Sequence, residues 1–120
     1  MRRAEPRAAA GARAEDLAAD FLSRRGLAIV ARNFRRRVGE IDVIARDGDV
    51  LVFVEVRLRT RAGWGGAAES ITAAKQARLL AAANAYLATL SAVPPCRFDA
   101  VLLDGLDPAR ITWLRGVLEA

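Results

Sequence analysis

Four residues capable of chemistry, Glu40, Asp42, Glu55 and Arg57, sit in the stretch GEIDVIARDGDVLVFVEVRLR from Gly39 to Arg59. Around them the stretch reads as two apolar strands and a turn, which have no use for gathered charge. Two carboxylates ~5 Å apart repel by ~3 kcal/mol at an effective dielectric near 20. Such a pair is tolerable with a proton, a cation or a neighbouring base. Paired oxygens beside an open groove suit Mg²⁺ or Mn²⁺, which prefer carboxylate and water ligands. A metal held there would polarise a phosphate and activate water, a route to phosphodiester hydrolysis that needs no histidine. The chain has no histidine, which removes imidazole acid–base catalysis, Ser–His and Cys–His nucleophiles and imidazole-ligated zinc together. The competing reading is a salt-bridged strand edge, with Glu40 paired to Arg57 and Glu55 to Arg59 or a neighbour, since an acid–x–base triplet is common in strands.

The elements must bring these groups together. Side chains alternate along a strand, so Glu55 and Arg57 share a face about 7 Å apart. Both Asp47-Gly48 and Gly48-Asp49 are good two-residue hairpin turns. With Gly48-Asp49 as the turn, Asp42 lies opposite Glu55 and Glu40 opposite Arg57. With Asp47-Gly48, Asp42 faces Phe53 and meets Glu55 diagonally. Either register puts Asp42, Glu55 and Arg57 on one face and Ile41, Val43, Val52, Val54 and Val56 on the other, as core.

Before this hairpin, residues 1–10 lack an apolar period and read as a flexible tail; residues 11–120 read as one domain. Ala14, Leu17, Ala18, Phe21 and Leu22 form one arc of a helix over Gly11–Arg25, with Glu15 at the border of that arc, and Gly26 ends it. Leu27–Phe34 is the first strand, Gly39–Ala45 the second and Val50–Leu58 the third. A Gly-rich loop follows, whose Trp64 serves as a lid or stacking residue, or as a plug over the core. Ser70 or Thr72 can cap a second, alanine-rich helix running to about Leu90 and closed by Pro94 and Pro95. Arg97–Asp104 is a fourth strand, and Ile111–Val117 a fifth strand or C-terminal turn. The expectation is an α/β domain with a mixed sheet, in the order αβββαβ(β), and helices packed on the sheet.

Charge points to a partner. Lys75 is the single lysine among 19 basic residues, and the net charge is +5. Arg24, Arg25, Arg32, Arg35, Arg36 and Arg37 occupy Phe21–Gly39 without an acid, and Arg57, Arg59 and Arg61 occupy Val56–Ala68 likewise. Such blocks favour a polyanion. Arg35, Arg36, Arg37, Arg59, Arg61 and Lys75 flank the acidic cluster and are the candidate backbone contacts. Phosphate contacts fix position rather than read bases, so binding to DNA or RNA should be structure-selective. No stretch reads as a signal peptide or a membrane span, and the arginines do not line an apolar-faced helix, so no membrane partner is expected. With Cys96 as the sole cysteine no internal disulfide can form, and a cytoplasmic setting is expected.

The combination of Glu15 in a helix, GEIDVI, VFVEVRLR, Lys75 in a second helix and RFD at Arg97–Asp99 resembles the YraN family. The resemblance covers about Gly11 to Leu103. It implies a restriction-endonuclease-like fold similar to archaeal Holliday-junction resolvases, whose junction-cutting members act as two-fold homodimers. It makes Asp42 and Glu55 the metal-binding acids of a Mg²⁺- or Mn²⁺-dependent nuclease motif and Glu15 the helix-borne acid completing the catalytic set. In such nucleases the third strand ends the motif as Glu-x-Lys; here it reads Glu55-Val56-Arg57. Arginine does not give up a proton as lysine can, yet it can stabilise charge building on a phosphate.

Overall fold

A computed structural model describes residues 7–59 and 72–118. Its elements are α1 (Arg7–Arg24), β1 (Ala28–Arg36), β2 (Gly39–Asp47), β3 (Val50–Arg59), α2 (Ala73–Leu87), β4 (Cys96–Asp104) and β5 (Ile111–Leu118). The five strands form one sheet in the order β1-β2-β3-β4-β5. Every neighbouring pair is antiparallel except β3 and β4, which run parallel because α2 lies in the crossover between them. The fold is therefore α/β with a mixed sheet, in the order αβββαββ, and β5 is a strand rather than a turn. No helix among the described residues is long and apolar enough to cross a membrane.

The helices cover opposite faces. Ala14, Ala18 and Leu22 of α1 pack on Val43, Val52, Val54, Val101 and Leu103. Leu79, Ala82 and Ala83 of α2 pack on Ile41, Ile44, Phe53 and Phe98. A central strand covered on both sides must be apolar on both, which explains the run LVFV at Leu51–Val54, buried at every position.

Both helices depart from the expected limits. α1 begins at Arg7, inside the stretch expected to be a tail, because alanines favour helix without any core partner. α2 stops at Leu87, well before the prolines. Its last turn tightens into three-residue hydrogen bonds at Thr89 and Leu90, and the Thr89 hydroxyl donates to the Tyr86 carbonyl at 2.6 Å. Thr72 is the N-cap of α2, with its Oγ1 accepting from the Lys75 N–H at 3.2 Å.

The β2–β3 turn is Gly48-Asp49, as the pairing of Asp47 with Val50 requires; Gly48 has φ +61°. Alternation along β2 then fails at one point. Val43 packs under α1, as expected, but Ile41 packs under α2 with Ile44. Its strand partner Phe34 and nearby Ala31 also face α2. Between these pairs Asn33 adopts φ +53°, level with Asp42 on the neighbouring strand. Each strand thus skips one residue at the same level, and the side chains beyond it change face. Asp42 is the residue skipped on β2.

Candidate functional site

Beyond the Val43–Val54 pair, β2 and β3 stop exchanging backbone hydrogen bonds. Asp42 substitutes its side chain for the missing ladder: its Oδ2 accepts the Val56 N–H at 2.8 Å. Glu55 lies next to this junction. The two acids line one pocket of about 310 Å³ together with Glu40, Val56, Lys75, Arg78 and Leu79. Strands supply the acidic wall and the first turns of α2 supply the basic wall.

Burial pushes the Asp42 carboxyl up to about 7 from an ordinary 3.8. The Val56 N–H works against that shift, while the charges of Glu55, Glu15 and Glu40 add to it. Glu15 of α1 is half-buried, at the core edge as its place on the helix implied, and close enough for its charge to be felt at Asp42. The three acids expected together from the sequence are brought to one neighbourhood.

Glu55 meets two cations. Its Oε2 lies 3.6 Å from Lys75 Nζ and 3.6 Å from Arg57 Nη1. Both separations exceed hydrogen-bonding distance. Glu55 Oε2 and Arg57 Nη1 are accordingly buried atoms without a hydrogen-bond partner. Buried polar atoms are normally satisfied, so an unsatisfied pair beside an open pocket marks a place prepared for something else. Arg57 does not line the pocket; Lys75, half-exposed, does.

The salt-bridged-edge alternative fares differently at each acid. Glu40 pairs with Arg35 at 3.4 Å rather than with Arg57. Arg59 pairs with Asp104 through Nε and Nη2, at 3.1 and 2.8 Å, rather than with Glu55. These hydrogen bonds hold the Asp104 carboxyl below the ordinary carboxylate range. Of the arginine block, Arg24 pairs with Asp20 and Arg32 with Asp16, Arg25 stacks on Phe21, and Arg36 stacks on Phe34. Arg61 and Trp64 lie outside the described residues.

Arg35, Arg36 and Arg37 reach the pocket's neighbourhood through a backbone contact. Gly39, which follows their turn, is packed so tightly on α2 that a Cβ there would collide with the Arg78 carbonyl oxygen. Only glycine permits this approach. It sets the strand that follows the arginine run close against α2 at Arg78, and Arg35 reaches the pocket's rim through its pair with Glu40. Arg78 was not among the residues singled out from the sequence. Its spacing of three from Lys75 on a helix was the available signal, since such positions share a face.

Among the described residues no three or more His, Cys, Asp or Glu side chains group so as to hold a metal. The donor set for a cation is therefore the pair Asp42 and Glu55. That pair fits a hard cation which keeps several of its own waters, as Mg²⁺ does. It offers one buried carboxylate oxygen with no hydrogen bond among the described residues and one carboxyl raised by burial and then by neighbouring acids, both relieved by positive charge.

Comparison with known proteins agrees with this arrangement of motifs. Residues 14–103 match the model of "Uncharacterised protein family UPF0102", also called the YraN family. The chain is 55% identical over 115 residues to a UPF0102 protein of Cupriavidus taiwanensis, covering 95% of this chain and 86% of that one. It is 56% identical over 110 residues to one from Cupriavidus metallidurans, covering 91% and 80%. To one from Nitrosospira multiformis it is 50% identical over 109 residues, covering 91% and 92%. The chain belongs to the UPF0102 family.

Proposed function

We propose that this UPF0102 protein binds the phosphate backbone of DNA or RNA across the α2 side of its sheet and hydrolyses a phosphodiester at Asp42 and Glu55. The observation that carries the reading is the two-walled pocket: paired carboxylates on β2 and β3 face Lys75 and Arg78 on α2. A phosphate diester with its cation needs both signs of charge side by side. Asp42 and Glu55 would hold Mg²⁺ or Mn²⁺. When bound, the ion would supply Lewis-acid polarisation of the phosphate and lower the pKa of a water.

The chain's own groups have separable tasks. Lys75 and Arg78, with Arg35, Arg36 and Arg37 beside them, would bind and orient the backbone. Asp42, with one oxygen held by the Val56 N–H, keeps the other free for the cation. Glu15 contributes charge from α1 and so keeps Asp42 basic. Because such contacts go to phosphates, substrate choice should follow backbone shape, and a branched structure bound by two copies of the chain is one such shape.

The test is purified protein with Mn²⁺ on duplex, branched and single-stranded substrates, beside Asp42→Asn and Arg57→Lys. Cleavage by the wild type that Asp42→Asn abolishes is the expected result. Equal cleavage by Asp42→Asn would remove the site from these residues. Cleavage by Arg57→Lys alone would make the natural protein a nucleic-acid binder with a disabled centre. Binding should weaken steeply with salt, log K falling by about 0.9 per phosphate neutralised. Salt-independent binding or none would instead favour a protein-interaction domain that retains the fold.

A further inference from the structure

Resting on that reading, we infer that Lys75, and not the strand-borne Arg57, is the cationic side chain that contacts the phosphate at the point of cleavage, while Arg57 is a positioning residue behind Glu55. The two cations sit at the same 3.6 Å from the same oxygen, Glu55 Oε2, but in unlike surroundings. Arg57 belongs to a central strand, level with Leu102 on β4, and its Nη1 is buried. Its side chain is 20% exposed against 50% for Lys75. A planar guanidinium fixed in this way can hold Glu55 in place, yet it is not part of the pocket wall.

Lys75 combines a fixed backbone with a free head. Thr72 caps α2 through the Lys75 N–H, so the base of the side chain is anchored in the first helical turn. The flexible stem ends in an ammonium near Glu55 but not hydrogen-bonded to it, and three donors remain available. A phosphate oxygen entering the pocket would offer the acceptor that Glu55 does not reach. The setting favours an anion further. Lys75 lies at the positive end of the α2 macrodipole, and Arg78 stands one turn on, lining the same pocket. Like charges at this spacing repel unless an anion lies between them. The Arg78 carbonyl abuts Gly39, so this basic wall lies close against the strand that carries Asp42. Glu-x-Lys in a single strand is thus replaced by Glu55 on β3 and Lys75 on α2.

Because Lys75 is the single lysine, amine-selective acylation reads it directly by mass spectrometry, apart from the N-terminus. The full chain is labelled with and without a short DNA duplex, a branched DNA and a short RNA strand, with Ca²⁺ present. Binding is measured in parallel across salt concentrations. A ligand that covers Lys75 slows its labelling about tenfold at about ten times its dissociation constant, in proportion to 1 + [L]/Kd. Lys75→Ala should lower the salt slope by about 0.9, and Lys75→Arg should restore it. On a substrate that the wild type cuts, Lys75→Ala should lower kcat by about 10²–10³ and Lys75→Arg should recover part. Nucleic acid that binds while Lys75 labels at its free rate overturns the inference and leaves the proposed function standing. Protection with an unchanged Lys75→Ala salt slope also overturns it. Failure of all three nucleic acids to bind at low salt overturns the proposed function and this inference together.

Discussion

Asp42 and Asp99 occupy comparable places in the sheet and are treated in opposite ways. Each stands where strand pairing is interrupted, Asp42 just past the end of the β2–β3 ladder and Asp99 at a register shift, and each accepts a backbone N–H that the ladder leaves over. For Asp99 the break lies between β4 and β5, where Gly116, at φ +65°, bulges out and donates its N–H to Asp99 Oδ1 at 3.0 Å. Three more donors complete the set: Arg97 Nε at 2.9 Å, Arg97 Nη2 at 3.0 Å and Trp113 Nε1 at 3.0 Å. Asp99 is fully buried, its charge is matched, and every lone-pair direction is used. Arg97 is itself held at its far side by Asp47 at 3.1 Å. Asp42 has the Val56 N–H, no cation in contact among the described residues and three acids nearby, and it borders a pocket. A saturated buried carboxylate holds a fold together; an under-supplied one beside open space costs stability and leaves an oxygen that a ligand could use.

Several measurements would break or sharpen that contrast. The largest effect should come from Asp99→Ala, which strands a guanidinium, an indole N–H and a backbone N–H at once. We expect a loss of about 3–5 kcal/mol in urea unfolding. A loss below about 1 kcal/mol would show that Asp99 does not hold β5.

Asp42→Asn should behave in the opposite sense, and pH separates the two sites. The folded-state value of about 7 lies above the 3.8 of the ordinary carboxyl. Between those values the folded chain binds the proton more tightly than the unfolded chain does. Stability of the wild type should therefore fall as pH rises from about 4 to about 7, by at most about 1.4 kcal/mol per pH unit. Asp42→Asn should lack this fall and exceed the wild type most above pH 7. Parallel pH profiles for the two proteins would mean that Asp42 is not strained. Adding Mg²⁺ or Mn²⁺ at pH 8 should raise the Tm of the wild type and leave that of Asp42→Asn unmoved.

Gly39→Ala probes the pocket's width. The new methyl meets the Arg78 carbonyl, and overpacking of this kind costs about 1–3 kcal/mol. The variant should also weaken binding of nucleic acid by shifting the basic wall; intact stability with intact binding would show that α2 yields freely. Smallest is Thr72→Ala. Loss of the cap bond to Lys75 should cost about 1 kcal/mol and should loosen Lys75 without touching Asp99. Hydrogen exchange of the first turn of α2 is the direct check.

Much of this was legible in the residues, and the reasons are local. Gly48-Asp49 has the chemistry of a tight hairpin turn, so strands of the right length followed. The spacing of Ala14, Ala18 and Leu22 fixed which side of α1 is buried. Glu15 at the border of that arc was legible as a residue of the core edge, while its place beside the acids followed only from the family resemblance. Ile41 shows where such reasoning stops. Alternation placed it on one face with Val43, but the paired skip at Asn33 and Asp42 moved it under α2, away from Val43. Nothing in the letters of one strand announces a skip that its neighbour must share.

The pairing of charges marks the same boundary. Sequence by itself determined that two acids and a cation share a sheet region, because a two-residue period is a property of the chain. It also determined that the chain carries a single lysine and no imidazole. Only the tertiary structure decided that Arg59 goes to Asp104, Glu40 to Arg35, and that Lys75 on a distant helix meets the same oxygen as Arg57. Charged side chains are long and their partners non-local, so which cation reaches a carboxylate depends on how helix and strand pack. That packing includes one close backbone contact, Gly39 against Arg78, which no pattern of charge or hydropathy records.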